Sequence, residues 1–314
     1  MGRERWLVIA AFATTYLVWG STYLVNYWAI DTIPPFGMGG CRFLAAGALM
    51  YGYSWLAGDR RRPTLRQWGN ATLMGILFLA VGVGAVVWAQ QWIPTSTAAL
   101  IIAFEPLVVM CLMWATLRSR PPARAFFGAA ISICGMLLLV GQPESLIVPG
   151  TDPAGTVFAL LAIAAAMLCW GAGMLLRPRS DLTDNPVRGT GMQMLTGGAV
   201  LLLFSFLIDE WAGWSVGQVS LRSALSWGFL VVFGSILAFS AFNYLLARVS
   251  ADKVATNTYV NPVVAVLVGG LLNNEIITGQ SLLAGAVLLT GVWFINSSHR
   301  ERTPSPSVAG NPRK

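Results

Sequence analysis

Ten long apolar runs follow one another along the chain, separated by short polar or charged stretches. They lie at about 6–29, 35–57, 68–90, 95–117, 123–141, 153–176, 189–208, 223–247, 253–272 and 281–297. A hydrocarbon core about 30 Å thick needs roughly 20 helical residues at about 1.5 Å each. The pattern therefore predicts an all-alpha polytopic membrane protein with ten transmembrane helices. The third and fourth runs are divided only by Gln90, Gln91, Trp92, Ile93 and Pro94. One helix through both would be about 75 Å long, so the chain must turn there, and Pro94 suits the first position of the next helix. Arg3 and Arg5 precede the first run as in a signal peptide. That run is too long and lacks a clear small-residue cleavage site, so an uncleaved first helix is expected. Residues 299–314 are rich in Pro, Ser, Gly and charge, and we expect a disordered cytoplasmic tail.

Composition agrees with this pattern. Of 314 residues 56% are hydrophobic and only 11% charged, where soluble domains spend about a quarter on charge. A disordered chain, a coiled coil and an ordinary cytosolic enzyme are excluded. The net charge of +7 does not form a nucleic-acid-binding face, because the basic residues sit in clusters between apolar runs. With the N-terminus in the cytoplasm, alternation places 18 of the 20 Lys and Arg on the cytoplasmic side, leaving Arg222 opposite and Arg42 within a span. Acidic residues divide six to each side, with Glu105 in the membrane. The bias is in Lys and Arg alone, as the positive-inside rule requires, so both termini are expected inside. Cys41, Cys111, Cys134 and Cys169 fall in apolar runs, no CxxC occurs, and the single histidine, His299, lies at the tail. No disulfide, metal or cofactor is expected.

The two halves resemble each other. Glu105-Pro106-Leu107-Val108 answers to Asn261-Pro262-Val263-Val264, 156 residues on, and Gly135 answers to Gly291 at the same separation. Trp19-Gly20-Ser21 answers to Trp170-Gly171-Ala172 at a separation of 151. Two five-helix halves, 1–145 and 146–298, are expected. An odd number of spans per half turns the second copy upside down, the inverted-repeat plan of secondary transporters. Pro106 and Pro262 each remove a backbone N–H in mid-span, which reads either as a gating bend or as a fixed kink.

Three segments carry a resemblance. Trp19-Gly20-Ser21-Thr22-Tyr23, Cys41-Arg42-Phe43-Leu44-Ala45-Ala46-Gly47 and Thr258-Tyr259-Val260-Asn261-Pro262-Val263-Val264-Ala265 resemble signatures of the drug/metabolite transporter superfamily, EamA family, and within it the YedA-like metabolite exporters. The resemblance covers 1–298. It implies a ten-helix bacterial inner-membrane carrier, multi-pass, that exports amino acids or other metabolites. It also implies a cavity lined by helices 1, 3, 4, 6, 8 and 9. The motifs are specific for the family and weak for the substrate.

Candidate site residues follow from polarity at depth. An isolated Glu105 in mid-membrane is costly. It either pairs with Arg42, the one basic residue at comparable depth, or faces the cavity and exchanges proton and substrate. Arg42 reads as a structural charge among small residues, since a buried guanidinium keeps its charge and must find acceptors. Thr15, Trp19, Tyr23 and Asn26 share one face of helix 1. Trp19 and Trp170 are either cavity walls or helix packing. Asn257, Thr258 and Asn261 in helix 9, with Ser240 and Asn243 in helix 8, are either a binding patch or interhelical hydrogen bonds.

We expect a secondary transporter working by alternating access on a small organic, amphipathic solute, with proton coupling through Glu105 as one version. Its partners are that substrate and membrane lipid, without nucleic acid, and a monomer is expected. No P-loop occurs in the sequence, so energy must come from a gradient. A small-molecule channel is the alternative. An intramembrane enzyme ranks lower, since no catalytic constellation stands in the loops.

Overall fold

A computed structural model describes residues 2–118, 120–141, 148, 150–177, 180–246, 248–249, 257–275 and 277–299. The expected tail lies outside them from residue 300 onward, as does the start of the ninth apolar run. Among the described residues the regular structure is helical and falls into ten rods. The first, α1, comprises Gly2–Thr14, a π-helical segment Thr15–Trp19, and Gly20–Ala29. Next come α2 (Pro35–Leu56) and α3, built of Leu65–Met74, π-helical Gly75–Val83 and Gly84–Ala89. Rod α4 comprises Thr95–Ile102 and Glu105–Leu117, and α5 is Ala123–Val140. The second half holds α6 (Pro153–Leu176), α7 (Pro186–Leu207), and α8, built of Leu221–Phe229, π-helical Leu230–Leu237 and Ala238–Leu246. It closes with α9 (Asn257–Leu272) and α10 (Gly279–His299). Six rods, α1, α3, α4, α6, α7 and α8, hold stretches long and apolar enough to cross a membrane, and shorter apolar helices lie in α5, α9 and α10. Rod α2 has the length, but Arg42 and its glycines lower its mean hydropathy.

The rods begin where a local group can satisfy the free N–H groups of a first turn. Thr64 and Gln67 form a capping box on α3. Asp152 caps α6, Asn185 caps α7 and Ser220 caps α8. Rods α2 and α4 start after Pro34 and Pro94, which bring no capping side chain. Distant carboxylates supply the cap instead. Glu210 accepts from Phe36 N at 3.0 Å and Gly37 N at 2.9 Å, and Glu275 does the same for Thr95 and Ser96.

Packing pairs rods across the two halves. The most extensive contacts are α2 with α7 and α5 with α10. Glycines allow both. A Cβ at Gly47 would lie 2.7 Å from Leu195 N and 2.9 Å from the Gly191 carbonyl oxygen. One at Gly291 would lie 2.5 Å from the Gly128 carbonyl oxygen. Contact at that distance is backbone on backbone, the closest approach two helices can make. Inside these outer pairs, α3 packs on α6 as α8 packs on α1, α4 on α6 as α9 on α1, and α3 on α7 as α8 on α2. Each pairing is carried into another by exchanging the halves.

The connections separate into two layers. Trp214 donates to the Thr32 carbonyl at 2.8 Å and Trp28 to Asn273 Oδ1 at 3.3 Å, and Val148 N reaches the Trp92 carbonyl at 3.0 Å. These join the α1–α2, α3–α4, α5–α6, α7–α8 and α9–α10 connections on one face. On the other, Arg188 pairs with Asp59 at 3.1 Å and Asn70 donates to the Asp181 carbonyl at 2.9 Å. Arg188 reads from the sequence as a loop charge, yet it is 1% exposed. It also donates to Ser54 Oγ and the Arg61 carbonyl, and lies over the Tyr51 ring.

Candidate functional site: α1 and the rods around it

Rod α1 has a different neighbour at each turn. Thr15 Oγ1 meets Asn257 Oδ1 of α9 at 3.2 Å. Trp19 donates from Nε1 to the Gly234 carbonyl of α8 at 3.3 Å and packs on Phe239 and Phe242. Gly20 sits against Val264 and the Asn261 carbonyl of α9. Tyr23 packs against the cluster that includes Ile101 and Met167, to which Phe104 also packs. Asn26 Oδ1 accepts from Arg42 of α2 at 3.0 Å. The polar strip foreseen on one face thus fans out over four rods. The π-helical turn at Thr15–Trp19, which takes an extra residue per turn, lies inside it.

Trp170 in α6 repeats the part of Trp19. It packs edge-on against Phe78 of α3, with ring centroids 4.9 Å apart, and a Cβ at Gly82 would lie 3.1 Å from it. Gly82 and Gly234 both belong to π-helical segments. Gly171 next door packs on Val109 and Leu112 of α4, as Gly20 packs on Val264 of α9. In each half, then, one Trp-Gly step sets its indole on a π-helical glycine and its glycine on the following rod. Both indoles are half-buried.

Arg42 and Glu105 are separate. Among the described residues no ion pair joins them. Arg42, 4% exposed, donates from Nε to Ser235 Oγ of α8 at 2.8 Å as well as to Asn26, and lies against the Phe43 ring. Its charge is shared by two neutral acceptors that tie α2 to α1 and α8. Glu105 is half-buried and opens the second segment of α4 after the break at Ala103 and Phe104.

The prolines differ in local form. Pro262 is inside α9, as foreseen. Pro106 is not inside a continuous helix: it stands in the first turn of Glu105–Leu117, where a missing N–H leaves nothing unpaired. The polar backbone at this depth belongs to the break, not to a proline kink.

Of the other foreseen residues, Asn257 is buried and Ser240 half-buried. Asn261 buries an Oδ1 without a partner. The side chains of Asn243 and Thr258 lie outside the described part. The sequence did not single out Phe78, Phe104, Phe239 and Phe242 as the aromatic partners. Gln90, at the turn from α3 to α4, is fully buried. It donates to the Tyr23 carbonyl at 2.9 Å and leaves its Oε1 unpaired. A cavity of about 240 Å³ opens elsewhere, between α4, α9 and α10, past Ser96, Leu100, Pro262 and Gly285.

Half-buried polar and aromatic groups thus surround the rods in a helical membrane-type fold, and the relatives of this chain are transporters, not enzymes. The chain belongs to the EamA-like transporter family, which matches residues 6–141 and 157–297. It is 33% identical to the inner membrane transporter YedA of Escherichia coli over 98% of this chain and 96% of that protein. It is 25% identical to the protein PecM of Dickeya dadantii, covering 90% and 87%, and 24% identical to a chloroplastic WAT1-related protein of Arabidopsis thaliana, covering 94% and 70%. One solved crystal structure superposes with a TM-score of 0.64 at 19% identity, over 95% of this chain and 99% of its own, and supports the fold.

Proposed function

We propose that the protein is a secondary transporter of the bacterial inner membrane that exports a small amphipathic organic metabolite by alternating access. In this reading all ten rods span the bilayer as two inverted five-helix repeats, 1–145 and 146–298, with both termini in the cytoplasm. The face holding Arg188 and Asp59 is the cytoplasmic one, and a cavity lies between α1, α3, α4, α6, α8 and α9. The observation that carries the proposal is the exchange of roles between halves. Trp19 donates to the Gly234 carbonyl and Trp170 packs where a Cβ at Gly82 would lie, so the two Trp-Gly steps meet corresponding π-helical segments, and each half can take the other's conformation at similar cost.

The groups left open along the rods around α1 are acceptors: the Glu105 carboxylate, Asn261 Oδ1 and, at the end of α3, Gln90 Oε1. They favour a solute that brings N–H or O–H donors beside an apolar or aromatic body, for which Trp19, Tyr23 and Trp170 offer faces. Glu105, lacking Arg42 as a partner, is the group able to exchange a proton for such a donor. Reconstituted protein loaded with a panel of labelled amino acids, amines and hydroxylated metabolites tests the reading. Saturable counterflow, accelerated by unlabelled solute on the far side, is expected. Non-saturating flux without exchange stimulation identifies a channel and overturns the proposal.

A further inference from the structure

Glu275, between α9 and α10, accepts four hydrogen bonds from the first two residues of α4. Oε1 takes Thr95 N at 3.0 Å and Thr95 Oγ1 at 2.6 Å. Oε2 takes Ser96 N at 2.9 Å and Ser96 Oγ at 2.5 Å. Thr95 and Ser96 are buried. Asn273 Nδ2 reaches Oε1 at 3.5 Å while Asn273 Oδ1 holds Trp28 of α1 at 3.3 Å. A Cβ at Gly269 would lie 2.7 Å from Oε2, so the carboxylate occupies room that glycine leaves. One short connection thus fastens the ends of α1, α4 and α9.

One asymmetry and one packing feature set this clamp apart from an ordinary helix cap. Glu210 makes a similar cap on α2, and there the opposite face has a counterpart, Asp59 with Arg188 of α7. The outer pair α2–α7 is therefore fastened at both ends. For Glu275 the corresponding stretch of the first half, 118–124, reads Arg-Ser-Arg-Pro-Pro-Ala-Arg, without a carboxylate. Packing gathers rods at the same end. Gly20–Ala29 of α1 packs on Thr95–Ile102 of α4 and on Gly84–Ala89 of α3. The rods α1, α3 and α4 are drawn together at the Glu275 end.

We propose that Glu275 is the latch of the external gate, and that the conformation described is closed to the outside. Opening outward requires Glu275 to release Thr95 and Ser96, whereas Glu210 stays in place throughout the cycle. The inference rests on the transporter reading and its topology, and the test separates the two. In a background with the four native cysteines replaced, Ala98→Cys, fully buried one turn below Thr95, reports entry of a membrane-impermeant maleimide added outside intact cells. Val216→Cys, in the exposed α7–α8 connection, reports sidedness. If Val216→Cys is not labelled from outside, the topology fails and the latch with it. With sidedness established, Glu275→Gln is expected to raise the labelling rate at position 98 about tenfold or more. Glu210→Gln, the same change on the outer pair, is expected to leave that rate within about twofold. Thr95→Ala with Ser96→Ala removes two of the four donors, keeps the carboxylate, and should give an intermediate rise. Equal rates for Glu275→Gln and Glu210→Gln, or no rise in either Glu275→Gln or the double variant, overturn the latch.

Discussion

Arg42 offers a sharp test of how the bundle carries a buried charge. The structure gives it neutral acceptors, Asn26 Oδ1 at 3.0 Å and Ser235 Oγ at 2.8 Å, and no bond to Glu105. Arg42→Met removes both hydrogen bonds. Ser235 can turn its hydroxyl to a carbonyl of its own helix, so its loss is small. Asn26 Oδ1 is left buried and unpaired, which costs about 1–3 kcal/mol. Interhelical hydrogen bonds in membranes average about 0.6 kcal/mol and reach about 1.7 kcal/mol. A charged donor belongs at the upper end, so a double-mutant cycle of Arg42→Met with Asn26→Leu should show coupling of about 1–2 kcal/mol. A second cycle, Arg42→Met with Glu105→Gln, should be additive within about 0.5 kcal/mol, because the groups share no partner. Unfolding equilibria in bicelles, followed by steric trapping, measure both cycles. Coupling above about 1 kcal/mol in the second, or additivity in the first, refutes the assignment and restores the ion pair.

Three more outcomes follow from the contacts. Trp19→Ala and Trp170→Ala remove equivalent indoles, so counterflow should fall by similar factors in both; a large loss in only one would break the equivalence of the halves. Gly291→Val forces side-chain atoms into the Gly128 carbonyl and Ser132, costing about 3 kcal/mol or more, and should abolish monodisperse elution in detergent. Glu105→Gln makes the position permanently neutral; if Glu105 carries the coupled proton, uptake should lose its dependence on pH, and a retained wild-type slope removes Glu105 from coupling.

The spacing of apolar runs was enough to read an all-helical membrane-type architecture, because it depends on composition at a given depth. What stayed hidden depends on neighbours. Glu275 and Glu210 look like solvated loop charges until Pro94 and Pro34 are seen to leave α4 and α2 without local caps. Ser235 carries no sign that it receives a guanidinium. The π-helical segments were illegible because a widened turn needs packing, here an indole against Gly82 or Gly234, to repay its poorer hydrogen bonds. Pro106 misled for a related reason: a proline looks the same inside a helix and in its first turn, and only the break at Ala103 and Phe104 decides.

The distribution of irregular backbone argues for where motion must occur. Pairs α2–α7 and α5–α10 meet through glycines at backbone contact. Sliding either past its partner trades many close contacts for voids, which packed interiors resist. Neither α2, α5, α7 nor α10 contains a π-helical segment or a break. The discontinuities lie in α1, α3, α4 and α8, and the internal proline in α9, so bending is cheapest in the rods that meet the Trp-Gly steps. If the proposed alternating access operates, a carrier built this way is expected to open by flexing its inner rods against outer pairs that stay closed. Rigid reorientation of whole halves would instead tear α2 from α7, because each pair takes one rod from each half. Cross-linking α2 to α7 through cysteines at Gly39 and Leu201, where a Cβ at Gly39 meets only the end of the Leu201 side chain at 3.3 Å, should therefore spare counterflow. Loss of transport on cross-linking, restored by reduction, would place the moving boundary between the halves instead.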